Sequence, residues 1–368
     1  MLKPVAIRHR RWEIATLVAL TIGAVFLSAR LTPHGRAHDD RMLSAAQRMA
    51  EATTVVADHR AAHGPPFSPE DVNRTGLIGT FFGPLTTTVG TLEAKRTTTN
   101  PNLAAVASQL LIEAGVRDGD AIAVGASGSF PAVLLAVLCA AHALDLDVGL
   151  IIALGASQWG ANLVEFTWLE MQGILVSADL LPASYRAAAV SFGGANDVGT
   201  DLDRDVLDVL RARVHASGIP LLEEPDLQTN VAERMRIYNH AVNGRPISAF
   251  INIGGAWANL GTGAAALQLE PGVSVIETVP CAEERGALFE FAARGVPVVH
   301  FLQISGLTSV HGLPWDPSPL PAPTKPAMSR SASPVAVRAI AAAYILLSCL
   351  WLVSVRWRPR LRRTHGEP

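Results

Sequence analysis

Residues 121–162 read AIAVGASGSFPAVLLAVLCAAHALDLDVGLIIALGASQWGAN. Ala121–Gly125 is a short apolar run, and Pro131 suits the first turn of a helix, where its missing N–H costs little. Ala132–Leu144 is long and apolar enough for a buried crossover helix. Asp145 and Asp147 bound a turn, and Val148–Leu154 is the continuous apolar run of a parallel strand covered on both faces. Both strands end in nearly the same words, Val-Gly-Ala-Ser and Leu-Gly-Ala-Ser. Ligands of an open parallel sheet gather at the carboxyl ends of its strands. The two Ser-bearing turns are therefore expected to form the floor of one site.

The same alternation continues outward. Ala187–Phe192 reads as a strand ending in Gly193-Gly194-Ala195-Asn196-Asp197, and a helix follows over about 201–216. Ile219–Leu222 is a short strand, and Leu227–Val242 a helix closed by Asn243-Gly244. Ile247–Ile253 is the most strand-like run, ending in Gly254-Gly255-Ala256. Glu283–Ala293 gives a helix and Val296–Leu302 a last buried strand. Strands alternating with helices across short turns predict an α/β fold, a three-layer, mostly parallel, Rossmann-like sheet.

The chain has 368 residues, 49% of them hydrophobic and 17% charged, an apolar balance that points to contact with lipid. Ile14–Leu31 has the ~20-residue length of a membrane-spanning helix and follows Lys3, Arg8, Arg10 and Arg11. A signal peptide cleaved at the small residues Ser28-Ala29 is the rival reading, disfavoured by the length of the apolar run. Ala339–Val355 is a second apolar run, followed by Arg356, Arg358, Arg360, Arg362 and Arg363. Basic flanks stay in the cytoplasm. The expected order is a cytoplasmic tail at 1–13, a transmembrane helix at 14–31 and a helical stalk at 32–66. An extracytoplasmic α/β domain follows at 67–313, a Pro-rich tether at 314–334, a second transmembrane helix at 335–355 and a cytoplasmic tail at 356–368. This places the protein in a cell membrane as a two-pass chain with both termini inside.

A net charge of −2 gives no support for a nucleic-acid partner. Cys139, Cys281 and Cys349 form no CxxC or Cys/His zinc spacing, and Cys139 reads as core. His34/His38 and His59/His63 each stand four apart on a helical stretch, without the acid of a HExxH motif, and read as solvated. The G-x-G-x-x-G fingerprint is absent, so no dinucleotide cofactor is expected, and without zinc or HExxH spacing no metal is expected.

Two chemistries fit the turns. In the first, turn N–H groups and hydroxyls hold an anion such as a carboxylate. Its candidate residues are Gly125, Ser127, Gly128, Ser129, Ser157, Gln158, Trp159, Gly193, Gly194, Asn196, Gly254, Gly255 and Asn259, with Lys95 and Arg96 from the segment before Asn100-Pro101. It asks for no proton relay. In the second, Gly-Ala-Ser-Gly-Ser at 125–129 approximates the nucleophile elbow G-x-S-x-G, with Ser129 in the final place. Ser127 would then be the nucleophile, His300 or His311 the base and Asp197 its orienter.

VGASGSFPA at 124–132, GASQWGAN at 155–162, Phe166-Thr167-Trp168-Leu169-Glu170 and IGGAWANLG at 253–261 resemble the poly-gamma-glutamate system protein family, as does the two-anchor layout. The resemblance spans most of the chain and brings no catalytic residues with it. It implies an accessory role in bacterial poly-γ-glutamate biosynthesis, capsule formation or polymer export. The implied partners are the ATP-dependent ligase subunit, its small integral-membrane subunit and the anionic polymer. The alternative is an extracytoplasmic serine-type hydrolase or transferase acting on γ-glutamyl amide bonds.

Overall fold

The computed structural model describes residues 36–324, together with Thr21 and Tyr344, whose hydroxyls lie 3.0 Å apart. Apart from those two positions, the apolar segments at 14–31 and 335–355 and both basic tails lie outside the described residues. Among the described residues no helix is long and apolar enough to cross a membrane.

Six strands form the main sheet: β2 (Ala121–Ser127), β3 (Asp147–Ala153), β5 (Ala189–Ser191), β6 (Ile247–Ile253), β7 (Gly272–Ser274) and β8 (Val298–Phe301). Their order is β5-β3-β2-β6-β8-β7, and every pairing is parallel except β7 with β8 at the edge. From β2 the chain moves outward through β3 to β5, then returns to lay β6 and β8 on the other side. The reversal beside β2 opens a crevice at the carboxyl ends of β2 and β6, the usual ligand position of a doubly wound sheet. The strand predicted at Ile219–Leu222 is reduced to a single bridge, Val190 with Leu221. Pro220 has no N–H to extend the ladder there.

Helices cover both faces. Ile122, Val124 and Ala126 of β2 pack with α3 (Asn102–Glu113), α4 (Pro131–Ala143) and α5 (Trp168–Ser177). Ala123, Ile151 and Phe250 face the opposite layer, with α7 (Leu227–Ala241) and α9 (Ala287–Ala293). The Phe166–Glu170 motif starts α5 with a capping box: Thr167 Oγ1 accepts from Leu169 N, and Glu170 accepts from Thr167 N.

The stalk at 32–66 is corrected by its packing. Helix α1 (Arg36–His63) exists, but Ala45, Met49, Ala52 and Val56 are fully buried in the main core, and Met42 and Ala46 lie against Ala105. Arg60 closes its end by donating to the carbonyls of Pro65, Pro66, Gly76 and Ile78. The first part of the tether is also fixed to the domain. Arg96 holds Asp316, Asn73 donates to Pro317 O, and Asn102 contacts both Ala322 and Thr324.

The turns meet through main chain. Gly128 N donates to the carbonyls of Ala153 and Gly155, and Ala161 N to Gly128 O. A Cβ at Gly128 would lie 2.6 Å from Leu154 O, one at Gly160 2.6 Å from Gly128 O, and one at Gly79 1.9 Å from Gly160 O. Only glycine permits this stack of backbones.

Candidate functional site

Three further elements close over the crevice. The short strands β1 (Thr86–Thr88) and β4 (Ala156–Ser157) pair in parallel, and β4 continues directly from the turn after β3. The chain leaves β1 through Val89-Gly90-Thr91 into α2 (Leu92–Thr98), which carries Lys95 inward. The result is a cleft of about 800 Å³. Ser127, Ser129, Ser157 and Lys95 line its floor, and Gly193, Gly194 and Gly255 expose bare backbone on its walls. Trp257, Leu260, Leu267, Leu302 and Trp315 make the remaining side apolar.

Lys95 is the unusual member. Its side chain is buried, and no acidic group pairs with it among the described residues. Nζ lies 2.6 Å from Ser157 Oγ, donates to Ser129 O, and sits 3.6 Å above the centroid of the Phe130 ring. Burial, which disfavours the charged form, pushes the amine down to about 7. Ser129 ties the floor together: its Oγ accepts from Ser157 N at 3.0 Å, and its own N–H points to Ser127 Oγ at 3.4 Å. Gly90 must be glycine for the cover to fit, since a Cβ would stand 2.7 Å from Gln158 O and 3.3 Å from Ser157 Oγ.

The other residues singled out from the sequence divide between cleft and scaffold. Arg96 turns away from Lys95, as neighbours on a helix must; its Nε donates to Asp316 at 2.7 Å. Gln158 accepts from Gly90 N and so holds the cover loop. Trp159 packs on Phe81 at 5.3 Å between ring centroids. Gly254 has a φ of +79°, and a Cβ there would come 2.3 Å from Ser127 Oγ. Gly125 leaves room for Asn259 of the short helix α8 (Trp257–Leu260), whose amide would lie within 2.9 Å of any Cβ at 125. Asn259 is thus buried beneath the cleft. Asn196 sits in the left-handed region at φ +52° and is absent from the cleft lining.

The triad of Ser127, His300 and Asp197 is not assembled. In register, Gly125 pairs with Asn252, and Asn252 with His300, so His300 stands two strands from β2. Two strand spacings come to roughly 10 Å. His300 is buried, with Nδ1 3.0 Å from Asn252 Nδ2, and burial lowers its pKa to about 4. Asp197 lies beyond β5 on the other side of β2, committed to Arg234, Ser191 and Asn230. His311 closes α10 (Ile304–His311) and is held below its ordinary pKa chiefly by burial. The rings of His59 and His63 meet edge to face at 5.1 Å, and no group of three His, Cys, Asp or Glu among the described residues could hold a metal.

Sequence reading placed Lys95 and Ser157 in one anion site but gave no sign of their direct contact. They are 62 positions apart, and the contact depends on β1 pairing with β4. The apolar wall, with Trp257 and Trp315, carried no signal of its own. No family model, no curated protein and no solved structure matches the chain. The cleft itself must therefore carry the argument for function.

Proposed function

We propose that the domain is a ligand-binding component of poly-γ-glutamate assembly or export that takes a carboxylate into this cleft. The observation that carries the reading is Lys95: a buried amine on the cleft floor with no acidic counter-ion among the described residues. An incoming carboxylate would supply that charge partner and draw a proton onto Nζ. The hydroxyls of Ser127, Ser129 and Ser157 support the reading, as do the glycine walls. Asp201, the acid of the cleft lining, is engaged by Ala195 N. One amine suits one carboxylate, so the cleft takes a chain end or single γ-glutamyl unit rather than a length of polyanion. The polymer and its synthase subunits enter this reading through the sequence resemblance.

In the same proposal the apolar segments at 14–31 and 335–355 anchor the protein in a bacterial membrane, with this domain outside and both basic tails inside. Calorimetry with a γ-glutamyl oligomer tests the cleft. Binding should take up protons near neutral pH and vanish in Lys95→Met; equal affinity in the variant would overturn the assignment. Recovery of the ligase subunit with the detergent-solubilised chain tests the partnership, and a reporter inserted in the domain tests the topology.

A further inference from the structure

We infer that Lys95 and Ser157 are a base and nucleophile pair, and that the cleft cleaves or transfers an acyl group carried on an amide or ester. The inference goes beyond binding and does not depend on which acyl compound occupies the cleft.

The separation of 2.6 Å between Lys95 Nζ and Ser157 Oγ is within reach for direct proton transfer. Both side chains line the cleft, and both are buried from bulk water. A third residue orients them together. Ser129 accepts from Lys95 Nζ at its carbonyl and from Ser157 N at its hydroxyl, so one residue fixes the amine and the backbone of the nucleophile. A lysine that only filled space would have its ammonium at the surface or against an acid. Here it ends on a carbonyl, a hydroxyl and an aromatic face. Carboxylates near the site are occupied: Asp201 accepts from Ala195 N, and Asp316 is paired with Arg96. Burial alone holds the amine at about 7, where its free-base form is well populated at neutral pH.

The chemistry closes without an added cofactor. Ser157 Oγ bonds to the substrate carbonyl carbon while its proton passes to Lys95 Nζ. The tetrahedral adduct then expels the amine or alcohol, which leaves with that proton, and Ser157 carries the acyl group. A water, or a second amine in the case of transfer, gives its proton to Nζ and attacks the acyl carbon. Ser157 Oγ departs and regains the proton, restoring both residues. Binding and catalysis then use the two protonation states of one amine. Nζ as ammonium holds a carboxylate, and as free base it activates Ser157. A carboxylate product should accordingly inhibit.

An alkyl fluorophosphonate, applied to the full chain in detergent, tests the pair. Intact-mass analysis should show one adduct per chain, and peptide mapping should place it on Ser157. Ser157→Ala should lose the adduct. Lys95→Met should slow labelling by at least about 100-fold, the usual worth of a general base, while keeping a cooperative thermal transition. In the native chain the rate should rise with pH through about 7. Labelling at Ser127, or none at Ser157 in a chain that still binds a γ-glutamyl oligomer, would overturn the pair and leave the binding proposal standing. Labelling at Ser157 in a chain that ignores the oligomer would do the reverse.

Discussion

Arg234 Nη2 and Asp197 Oδ2 meet at 2.6 Å with both side chains fully buried. The pair sits behind the wall formed by Gly193 and Gly194. Asp197 itself has a φ of +63°, a conformation a non-glycine residue keeps only when its surroundings enforce it. Ser191 and Asn230 complete the enclosure by donating to the same carboxylate. Removing one partner strands a charge in the interior, which costs about 3–5 kcal/mol. Arg234→Leu should lower the unfolding free energy from urea titration by that amount and also loosen the cleft wall. The double variant Arg234→Leu/Asp197→Leu should be less destabilised than the sum of the two single changes.

Lys95 imposes a stability cost that depends on pH. As pH falls, the unfolded chain protonates this amine near its ordinary value of 10.5, whereas the folded chain does so only near about 7. Between these values the unfolded state binds more protons, so this group lowers stability as pH falls and then levels off. At pH 7 the pH-dependent cost is about 4 kcal/mol. The difference in unfolding free energy between Lys95→Met and the native chain should therefore favour the variant at neutral pH and shrink toward pH 10.5. Urea titrations of both proteins at several pH values read this directly, and a flat difference would refute it.

Helix α1 is a structural part of the domain. Met49 is fully buried among core residues, so Met49→Ala should cost about 2–5 kcal/mol in chemical denaturation. Deleting 36–63 would remove Ala45, Met49, Ala52 and Val56 from the main core and uncover Ala105 of α3, and should give an insoluble product. A soluble, cooperatively unfolding fragment would show that the helix is dispensable.

The two described thiols should behave oppositely. Cys139 is buried in α4, and burial pushes its thiol up to about 12, whereas Cys281 is exposed. Only the thiolate reacts readily. Brief iodoacetamide treatment of the native chain should mark Cys281 and spare Cys139 in peptide maps, and both should react in guanidinium.

The strand and helix alternation was legible because runs such as Ala121–Gly125 and Val148–Leu154 are apolar on both faces and stop at Gly125 and Gly155. Met42, Ala46, Met49, Thr53 and Val56 stand near helical spacing in the sequence, and the structure buries that face. What the spacing lacked was the identity of the surface that covers it, and a stalk was the wrong inference from a correct pattern. The site was half legible. Paired Gly-Ala-Ser turns pointed to a shared floor, and Ser127, Ser129 and Ser157 do line one cleft. The base was missed because an elbow-like motif invites a search for histidine, and His300 lies two strands away. Lys95 and Arg96 looked alike as adjacent cations, yet the turn of a helix sends one to the cleft and the other to Asp316.

The glycine backbones stacked at 79, 160 and 128 stay out of the cleft lining, yet Gly128 stands between the floor residues Ser127 and Ser129 and is held by main chain alone. The support under those two serines has no side chain to swing aside and cannot adjust to a guest that fits poorly above it. Discrimination among guests would fall instead to the side chains of the rim, where Val89 and Trp315 stand open to solvent. The protein could then change what it admits by altering its lip while leaving the bed beneath untouched.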